Sequence, residues 1–258
     1  MKEKLSIVKV GGAVVENAVS LAAFLERFVS LEGRKALVHG GGRVADTLCH
    51  SLGIEPKMVG GRRITDEKTL EVVTMVYGGL VNKNIVASLQ AKGLNALGLS
   101  GADLGWLLAH KRPVKEIDYG FAGDVERTDT ELLSLLVERG VVPVFAPLSF
   151  DAQGQILNTN ADTVASSAAV SFAGKFDVSL YYCFEKSGVL ADPSREDSVI
   201  AEINRDMFTR LKSDGTIAGG MIPKIENAFA ALGAGVSEVI ITSASALGAG
   251  GCGTRIVL

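Results

Sequence analysis

The chain of 258 residues is long enough to bury a sizeable core, either as one large domain or as two joined lobes. Its 47% hydrophobic and 21% charged residues, with 30 glycines, are typical of a globular α/β protein and argue against a disordered chain. The net charge of −3 excludes the strongly basic balance of nucleic-acid-binding domains, so no nucleic-acid partner is expected.

The sequence predicts neither a membrane span nor an export signal. No uninterrupted apolar run reaches the roughly 18 residues that span a bilayer. Lys9 and the glycine pair after it interrupt the first apolar stretch before a signal-peptide core of about 7 residues forms. Cys49, Cys183 and Cys252 have no CxxC spacing and are odd in number, which argues against disulfides and zinc. A cytoplasmic location and no membrane contact are therefore expected.

Short β-rich runs alternate with helical patterns along the chain, which predicts a mostly parallel sheet covered by helices. Residues 106–127 are rich in turn formers and are expected to form a hairpin excursion. The predicted strands are 5–10, 35–39, 95–100, 141–147, 177–184, 238–242 and 254–258. The predicted helices are 21–28, 43–53, 66–92, 129–140, 161–172 and 221–233.

Glycine clusters follow three of the predicted strands, at residues 11–12, 40–42 and 98–101. Ligands of open α/β sheets bind beyond the carboxyl ends of the strands, where glycine lets backbone N–H groups approach a phosphate or carboxylate. One cluster alone fits a tight turn equally well. Three successive glycines after His39 exceed what a turn requires, so this cluster favours an anion site. The Walker pattern GxxxxGK[ST] is absent from the sequence.

Several polar residues also fit a structural role poorly. Lys9 lies in an apolar strand, and a buried ammonium group is costly unless an anion is beside it. It is therefore either an edge residue that reaches solvent or a residue directed at a negatively charged ligand. Lys224 falls in the first turn of a predicted helix, where the helix dipole disfavours a cation. Asn158, Asn160 and Asp162 surround another helix start, although one cap is sufficient there.

Six blocks of sequence resemble the amino acid kinase family, and within it the acetylglutamate kinases. They occur in the family's order and run through the whole chain. The blocks are VKVGG (8–12), LVHGGG (37–42), GGRRIT (60–65), LNTNAD (157–162), GGMIPK (219–224) and GTRIVL (253–258).

The resemblance implies a three-layer αβα sandwich around an open, mostly parallel central sheet. Residues 1–175 would form an N-terminal lobe that binds an acylated amino acid and contacts a second copy in a homodimer. Residues 176–258 would form a C-terminal lobe that binds ATP, and both lobes are expected to share one sheet. The apolar helix at 69–81 is either the dimer surface or an ordinary core-facing helix.

The resemblance also implies roles for individual residues. Lys9 and Lys224 would flank the transferring phosphoryl group as catalytic residues, and Asp162 would hold and orient both lysines. The residues implied to bind the substrate are Gly41, Gly42, Arg63 and Asn158. The residues implied to line the ATP phosphates are Gly12 and Gly220.

The implied reaction is ATP-dependent phosphorylation of the side-chain carboxylate of N-acetyl-L-glutamate to an acyl phosphate, a step of arginine biosynthesis. A glutamate carboxylate, with a pKa of about 4.3, is already ionised at neutral pH and needs no general base. Catalysis then consists of positioning and charge neutralisation. Mg²⁺ is expected to arrive on ATP, so no protein metal ligand is assigned.

The sequence departs from the family pattern at two places. The stretch CFEKSG stands where the family has an aspartate-bearing loop, so Glu185, next to Lys186, is expected near the nucleotide. Arg62 precedes the substrate arginine, where many relatives have an apolar residue. It is either a surface arginine or a partner for a second carboxylate, which would make N-succinyl-L-glutamate the substrate.

Two alternatives remain open beside this activity. The chain could phosphorylate another small carboxylate of the same family, which a substrate panel would reveal. It could also be a non-catalytic ligand sensor of this fold, whose expected mark is loss of a phosphate-facing lysine. Both lysines are present in the sequence.

Overall fold

A computed structural model describes residues 2–192, 194–249 and 252–258, and fourteen strands lie within these ranges. The strands are β1 Lys4–Val10, β2 Arg34–His39, β3 Lys57–Val59, β4 Arg62–Ile64, β5 Ala96–Leu99, β6 Leu107–Lys111, β7 Gly123–Thr128, β8 Val142–Phe145, β9 Leu148–Phe150, β10 Ile156–Asn158, β11 Asp177–Phe184, β12 Glu202–Ile203, β13 Glu238–Ser243 and β14 Thr254–Ile256. Eight of them form a central sheet in the order β12-β14-β13-β11-β1-β2-β8-β5. Only the β13–β14 pairing of this sheet is antiparallel.

The helices cover both faces of the central sheet. They are α1 Gly12–Glu16, α2 Ala18–Ser30, α3 Gly42–Ser51, α4 Glu67–Val73, α5 Asn82–Ala91, α6 Glu131–Glu138, α7 Ala161–Ala173, α8 Arg205–Ser213 and α9 Met221–Gly233, with a π-helical segment, Thr74–Val81, between α4 and α5. Leu5 and Ile7 of β1 pack in one core with α6 to α9. Val8 and Val10 pack in a second core with α1 to α5. The predicted three-layer αβα sandwich is therefore confirmed.

Strand β1 lies in the middle of the sheet, because it pairs in parallel with both β2 and β11. Lys9 is consequently not an edge residue, and the first of its two predicted interpretations is wrong. Side chains alternate between the two faces along a strand, so Lys9 follows Leu5 and Ile7 toward the α7 side. The sheet also runs unbroken past residue 175, since β11 pairs with β1 along its length.

Helix α7 begins where the polar block LNTNAD predicted a helix start. The Asn160 side chain caps it by accepting hydrogen bonds from the backbone N–H groups of Asp162 and Thr163. Val164 and Phe172 are buried on the predicted apolar face. Burial of this face anchors α7 on the sheet and leaves the Asp162 carboxylate in the first helical turn, beside β1.

Of two antiparallel hairpins outside the central sheet, only one was predicted. The expected excursion at 106–127 is the β6–β7 hairpin, but it belongs to a four-stranded sheet in the order β10-β9-β6-β7. The hairpin of β3 and β4 was not predicted at all. The strands β3, β4, β9 and β10 have three residues each, which is too short for an alternating apolar pattern to be recognised.

The run from Glu67 to Ala91 is helical as predicted, but its middle is a π-helix rather than an α-helix. By length and composition alone this run could cross a membrane. However, 44% of its most apolar window is buried in the fold, and core helices meet the same criterion.

Candidate active site

Lys9, Asp162 and Lys224 form one ionic cluster at the carboxyl end of β1. The Lys9 Nζ lies 2.7 Å from Asp162 Oδ1, and Lys224 Nζ donates a hydrogen bond to Asp162 Oδ2. Lys9 and Asp162 are almost completely buried, whereas Lys224 is about one quarter exposed. The two lysines are 215 positions apart in sequence (224 minus 9), and the fold brings them to opposite oxygens of a single carboxylate.

The charges of this cluster stabilise one another. Burial would raise the pKa of Asp162, but the two lysines outweigh burial and hold that pKa at about 2. The carboxylate is therefore ionised at every physiological pH. Tyr182 on β11 donates a hydrogen bond to the main-chain oxygen of Asp162 at 3.3 Å, which fixes the helix start against the sheet.

The first two glycine clusters lie against each other. Gly40 donates its backbone N–H to the Val10 carbonyl at 3.0 Å. A Cβ on Gly40 would lie 3.0 Å from the nitrogen of Gly12, and a Cβ on Gly12 would lie 3.7 Å from the nitrogen of Gly42. A side chain at residue 40 would therefore crowd the backbone of Gly12. Backbone amides of two loops therefore line one edge of the sheet.

A cavity of about 180 Å³ opens beside the second glycine cluster. This volume is below the usual range of drug-sized pockets and fits a small metabolite. The predicted substrate residues all line it: Gly41, Gly42, Arg62, Arg63 and Asn158.

Arg63 is the buried cation of this cavity. Its guanidinium donates hydrogen bonds to the Asp46 carboxylate and to the Gly42 carbonyl, the latter at 3.0 Å. Burial alone would lower its pKa, but the contacts with Asp46 and Tyr77 raise it, so the group stays charged. Two hydrogen bonds thus orient Arg63 before any ligand binds.

Arg62 and Asn158 complete the cavity wall. The Asn158 side chain donates a hydrogen bond to Thr65 Oγ1 at 2.9 Å, which fixes its direction. Arg62 is half-buried rather than exposed, and its pKa is lowered by burial and by nearby Arg112. Arg62 is therefore not a fully exposed surface arginine, and its role as a partner for a second carboxylate stays a prediction.

The residues expected to bind nucleotide are more open. Glu185 is exposed directly after β11, and Lys186 lies 3.6 Å from Glu196. Gly220 caps α9 four residues before Lys224, and a Cβ there would meet no atom within 4 Å. The Lys224 ammonium lies 5.7 Å from the centre of the Phe184 ring, next to Glu185. This side of the cluster is therefore open to solvent at Glu185 and Gly220.

One residue that lines the cavity and one that orients Arg63 were missed from the sequence. Asp46, which orients Arg63, lies one helical turn after Gly42, so its spacing on α3 was a usable signal. Tyr77 lines the cavity from the π-helical segment, where the 3.6-residue period does not apply.

This arrangement can hold two anions together. Two ammonium groups converge on one carboxylate, while a guanidinium and backbone amides face a small adjoining cavity. Within the described residues, no group of three or more His, Cys, Asp and Glu side chains could hold a metal ion.

The chain is similar in sequence and in fold to known proteins. A model of the amino acid kinase family matches residues 4–243. The chain is 60% identical over 256 residues to the acetylglutamate kinase of Bacteroides fragilis, covering 99% of this chain and 98% of the relative. It is 60% identical over 247 residues to the acetylglutamate kinase of Bacteroides thetaiotaomicron, covering 96% of each. The crystal structure of smu.665 from Streptococcus mutans matches with a TM-score of 0.82 and 26% identity over 98% of each chain. The chain therefore belongs to the amino acid kinase family.

Proposed function

We propose that this enzyme transfers the γ-phosphoryl group of ATP to the side-chain carboxylate of N-acetyl-L-glutamate in arginine biosynthesis. The observation that carries the proposal is the pairing of Lys9 and Lys224 on Asp162, beside a cavity that contains Arg63. Relatives with 60% identity over nearly the whole chain are acetylglutamate kinases, which supports the same reaction here.

In the reaction, a carboxylate oxygen of the substrate forms a bond to the γ-phosphorus, and the bond from that phosphorus to the β–γ bridging oxygen breaks. The products are an acyl phosphate and ADP. No proton is transferred, because the carboxylate is already ionised at neutral pH. The protein's task is to hold two anions in line and to neutralise their repulsion.

Lys9 and Lys224 perform the neutralisation. Their ammonium groups are preorganised by Asp162, so little reorganisation is needed when negative charge gathers on the phosphoryl oxygens. Asp162 is the positioning residue of this pair, and its low pKa keeps it an acceptor for both lysines.

The cavity holds the acylated amino acid. Arg63, oriented by Asp46, faces a carboxylate, and the backbone N–H groups of Gly41 and Gly42 face another part of the same ligand. The Asn158 amide contributes a further polar contact. These groups are placed before binding, so binding loses little additional conformational entropy.

The nucleotide lies on the open side of the lysine pair in this proposal. Gly12 and Gly220 line its phosphates, and Glu185 approaches its adenosine part. Mg²⁺ arriving on those phosphates would supply further positive charge there, and no protein side chain is assigned to hold it. Residues 1–175 and 176–258 are accordingly the substrate lobe and the nucleotide lobe.

N-succinyl-L-glutamate is a second candidate substrate, favoured by one observation. Arg62 lines the cavity together with Arg63, so a second cation is available for a second carboxylate on the acyl group. Higher kcat/KM with the succinyl compound, and loss of that preference in Arg62→Leu, would support this candidate. A clear preference of the wild-type enzyme for the acetyl compound would exclude it.

A cytoplasmic homodimer is proposed as the working form. Met75 and Leu80 each remain 53% exposed on the segment expected at the dimer surface, while Val72, Val73 and Val76 of the same segment are buried in the core. Light scattering should give twice the monomer mass of 27.0 kDa, and Leu80→Glu should lower it toward one chain. A monomeric wild-type protein would refute the dimer.

The activity is tested by measuring ADP release with acetylglutamate, succinylglutamate, glutamate and aspartate in parallel. Hydroxylamine in the same reaction converts an acyl phosphate to a hydroxamate, so product and ADP can be counted together. Equal amounts of hydroxamate and ADP with acetylglutamate support the proposal. ADP release with aspartate alone would assign another kinase of the family, and no release with any compound would favour the ligand sensor.

A further inference from the structure

Tyr77 of the π-helical segment Thr74–Val81 contacts Gly41, and Asn82, the residue after the segment, contacts His39 directly before the glycine loop 40–42. Tyr77 and Asn82 are five positions apart. In an α-helix, residues with this spacing differ by about 140° around the axis and face different ways. In a π-helix, whose i→i+5 hydrogen bonds give more residues per turn, this angle is much smaller. The wider winding thus helps to bring Tyr77 and Asn82 to the same side, next to His39 and the glycine loop.

Tyr77 contacts the loop through its ring. A Cβ on Gly41 would lie 2.9 Å from Tyr77 Cδ1 and 3.0 Å from Cε1, so the ring packs directly on the glycine backbone. Tyr77 is only 5% exposed and also lines the substrate cavity.

Asn82 contacts the loop through His39. The Asn82 side-chain amide donates one hydrogen bond to His39 Nε2 at 3.1 Å and one to the Val144 carbonyl at 2.9 Å. With Nε2 as the acceptor, the proton of His39 is on Nδ1, which donates to the Gly40 carbonyl at 2.8 Å. His39 and Asn82 are almost fully buried, and neither lines the cavity.

Gly98, in the third glycine cluster, has no side chain to occupy the space that the Asn82 side chain fills. A Cβ on Gly98 would lie 1.9 Å from Asn82 Oδ1, an overlap that no rotation of the new methyl group can relieve. Within the described residues, this buried oxygen has no hydrogen-bond partner. A buried amide oxygen without a partner is costly for a purely structural residue.

We propose that Asn82 and His39 are positioning residues that, together with Tyr77, hold the Gly40–Gly42 backbone in the geometry that binds the substrate. The chain of contacts runs from the π-helical segment through Asn82 and His39 to the Gly40 carbonyl, and from Tyr77 to Gly41. The loop amides are then rigid before the ligand arrives. The inference rests on the proposed function, because the ligand in question is the acylated amino acid.

The experiment compares Asn82→Ala with Asn84→Ala, a matched change on the exposed face of the same helix. N-acetyl-L-glutamate is titrated into each protein by calorimetry without nucleotide, at a temperature where circular dichroism shows both to be folded. Asn82→Ala should weaken Kd about tenfold, the value of one well-made hydrogen bond, and Asn84→Ala should leave it unchanged. A merely structural role would lower the melting temperature and leave Kd unchanged, which would overturn the inference.

A second measurement needs neither a variant nor a ligand. ¹⁵N relaxation of the wild-type protein should give Gly41 and Gly42 order parameters near about 0.85, as for rigid backbone. Values below about 0.6 would contradict the inference even if Asn82→Ala does not fold. If wild-type protein fails to bind N-acetyl-L-glutamate while these amides are rigid, the proposed substrate is wrong and the positioning network stands.

Discussion

The central sheet contains one buried lysine near the carboxyl ends of its strands and another near their amino ends. Comparing the two distinguishes a lysine placed for catalysis from a lysine that stabilises the fold. Lys9 is near the carboxyl end of β1 and Lys35 is near the amino end of β2, and each is only 7% exposed. Burial alone therefore does not mark a lysine as functional. The groups that surround each ammonium do.

Lys35 is surrounded by carbonyl groups. Its Nζ donates to the oxygens of Phe28 at 3.3 Å, Val29 at 2.9 Å and Leu31, so it caps the end of α2. Burial lowers the pKa of Lys35, and neutral carbonyl dipoles offset the cost of the charge. Lys9 instead shares a carboxylate with a second lysine beside a cavity. Because two cations share one anion, the cluster keeps an excess of positive charge that can attract an anionic ligand.

The largest effect is expected from Asp162→Asn, which removes the anion of the cluster. The change leaves buried Lys9 next to a second ammonium group without a carboxylate, and should lower the free energy of unfolding by about 3–5 kcal/mol. Urea unfolding followed by circular dichroism measures this loss. Unchanged stability would show that the cluster is solvated in the free protein.

Lys224→Met should lower kcat by about 10²–10³-fold, because one preorganised charge donor is lost in the transition state. Stability should change little, since Lys224 is partly exposed and Asp162 keeps its pairing with Lys9. ADP release at saturating substrates measures kcat. Activity within about fivefold of wild type would contradict the assigned role.

Acid should remove the stabilisation that the Asp162 carboxylate contributes through its lysine partners. The native pKa of Asp162 is about 2, below its ordinary value of 3.8, so its stabilising contribution is present above about pH 4. That contribution, about 2 kcal/mol, is lost as the pH falls from about 4 toward 2. Urea unfolding at a series of pH values should show the loss in the wild type. Asp162→Asn should lack this component, and equal slopes for both proteins would contradict the pairing.

Lys35→Met tests whether the buried lysine near the amino end of β2 has only a structural role. It keeps an apolar chain of similar length but leaves three carbonyl groups without their donor, so the free energy of unfolding should fall by about 1–2 kcal/mol. kcat and KM should stay at wild-type values. A large loss of kcat in a folded Lys35→Met protein would remove the distinction between the two lysines.

The sequence predicts the functional end of the sheet well, because its signals are local. A lysine before a glycine pair, three glycines after β2 and a capping block at α7 each indicate a polar site at a strand end. The fold then brings these segments together, since the carboxyl ends of parallel strands meet at one edge. The α7 face was readable because its apolar residues recur with the helical period.

The remaining features depend on contacts that no local pattern encodes. Lys35 gave no signal in the sequence, because its partners are main-chain carbonyl groups of a preceding helix. The lowered pKa of Arg62 depends on burial and on the nearby charge of Arg112, which is distant in sequence. The π-helical segment was predicted as ordinary helix, since its apolar residues do not reveal a five-residue hydrogen-bond spacing.

The most direct test of the difference between the two buried lysines is a paired rate measurement on Lys9→Met and Lys35→Met. Hydroxamate formation from N-acetyl-L-glutamate and ATP is followed for both folded variants at the same enzyme concentration. We expect Lys9→Met to be slower than wild type by at least about 10²-fold and Lys35→Met to match wild type. Similar rates for both variants would contradict the assignment of phosphoryl-transfer chemistry to the Lys9 end of the sheet.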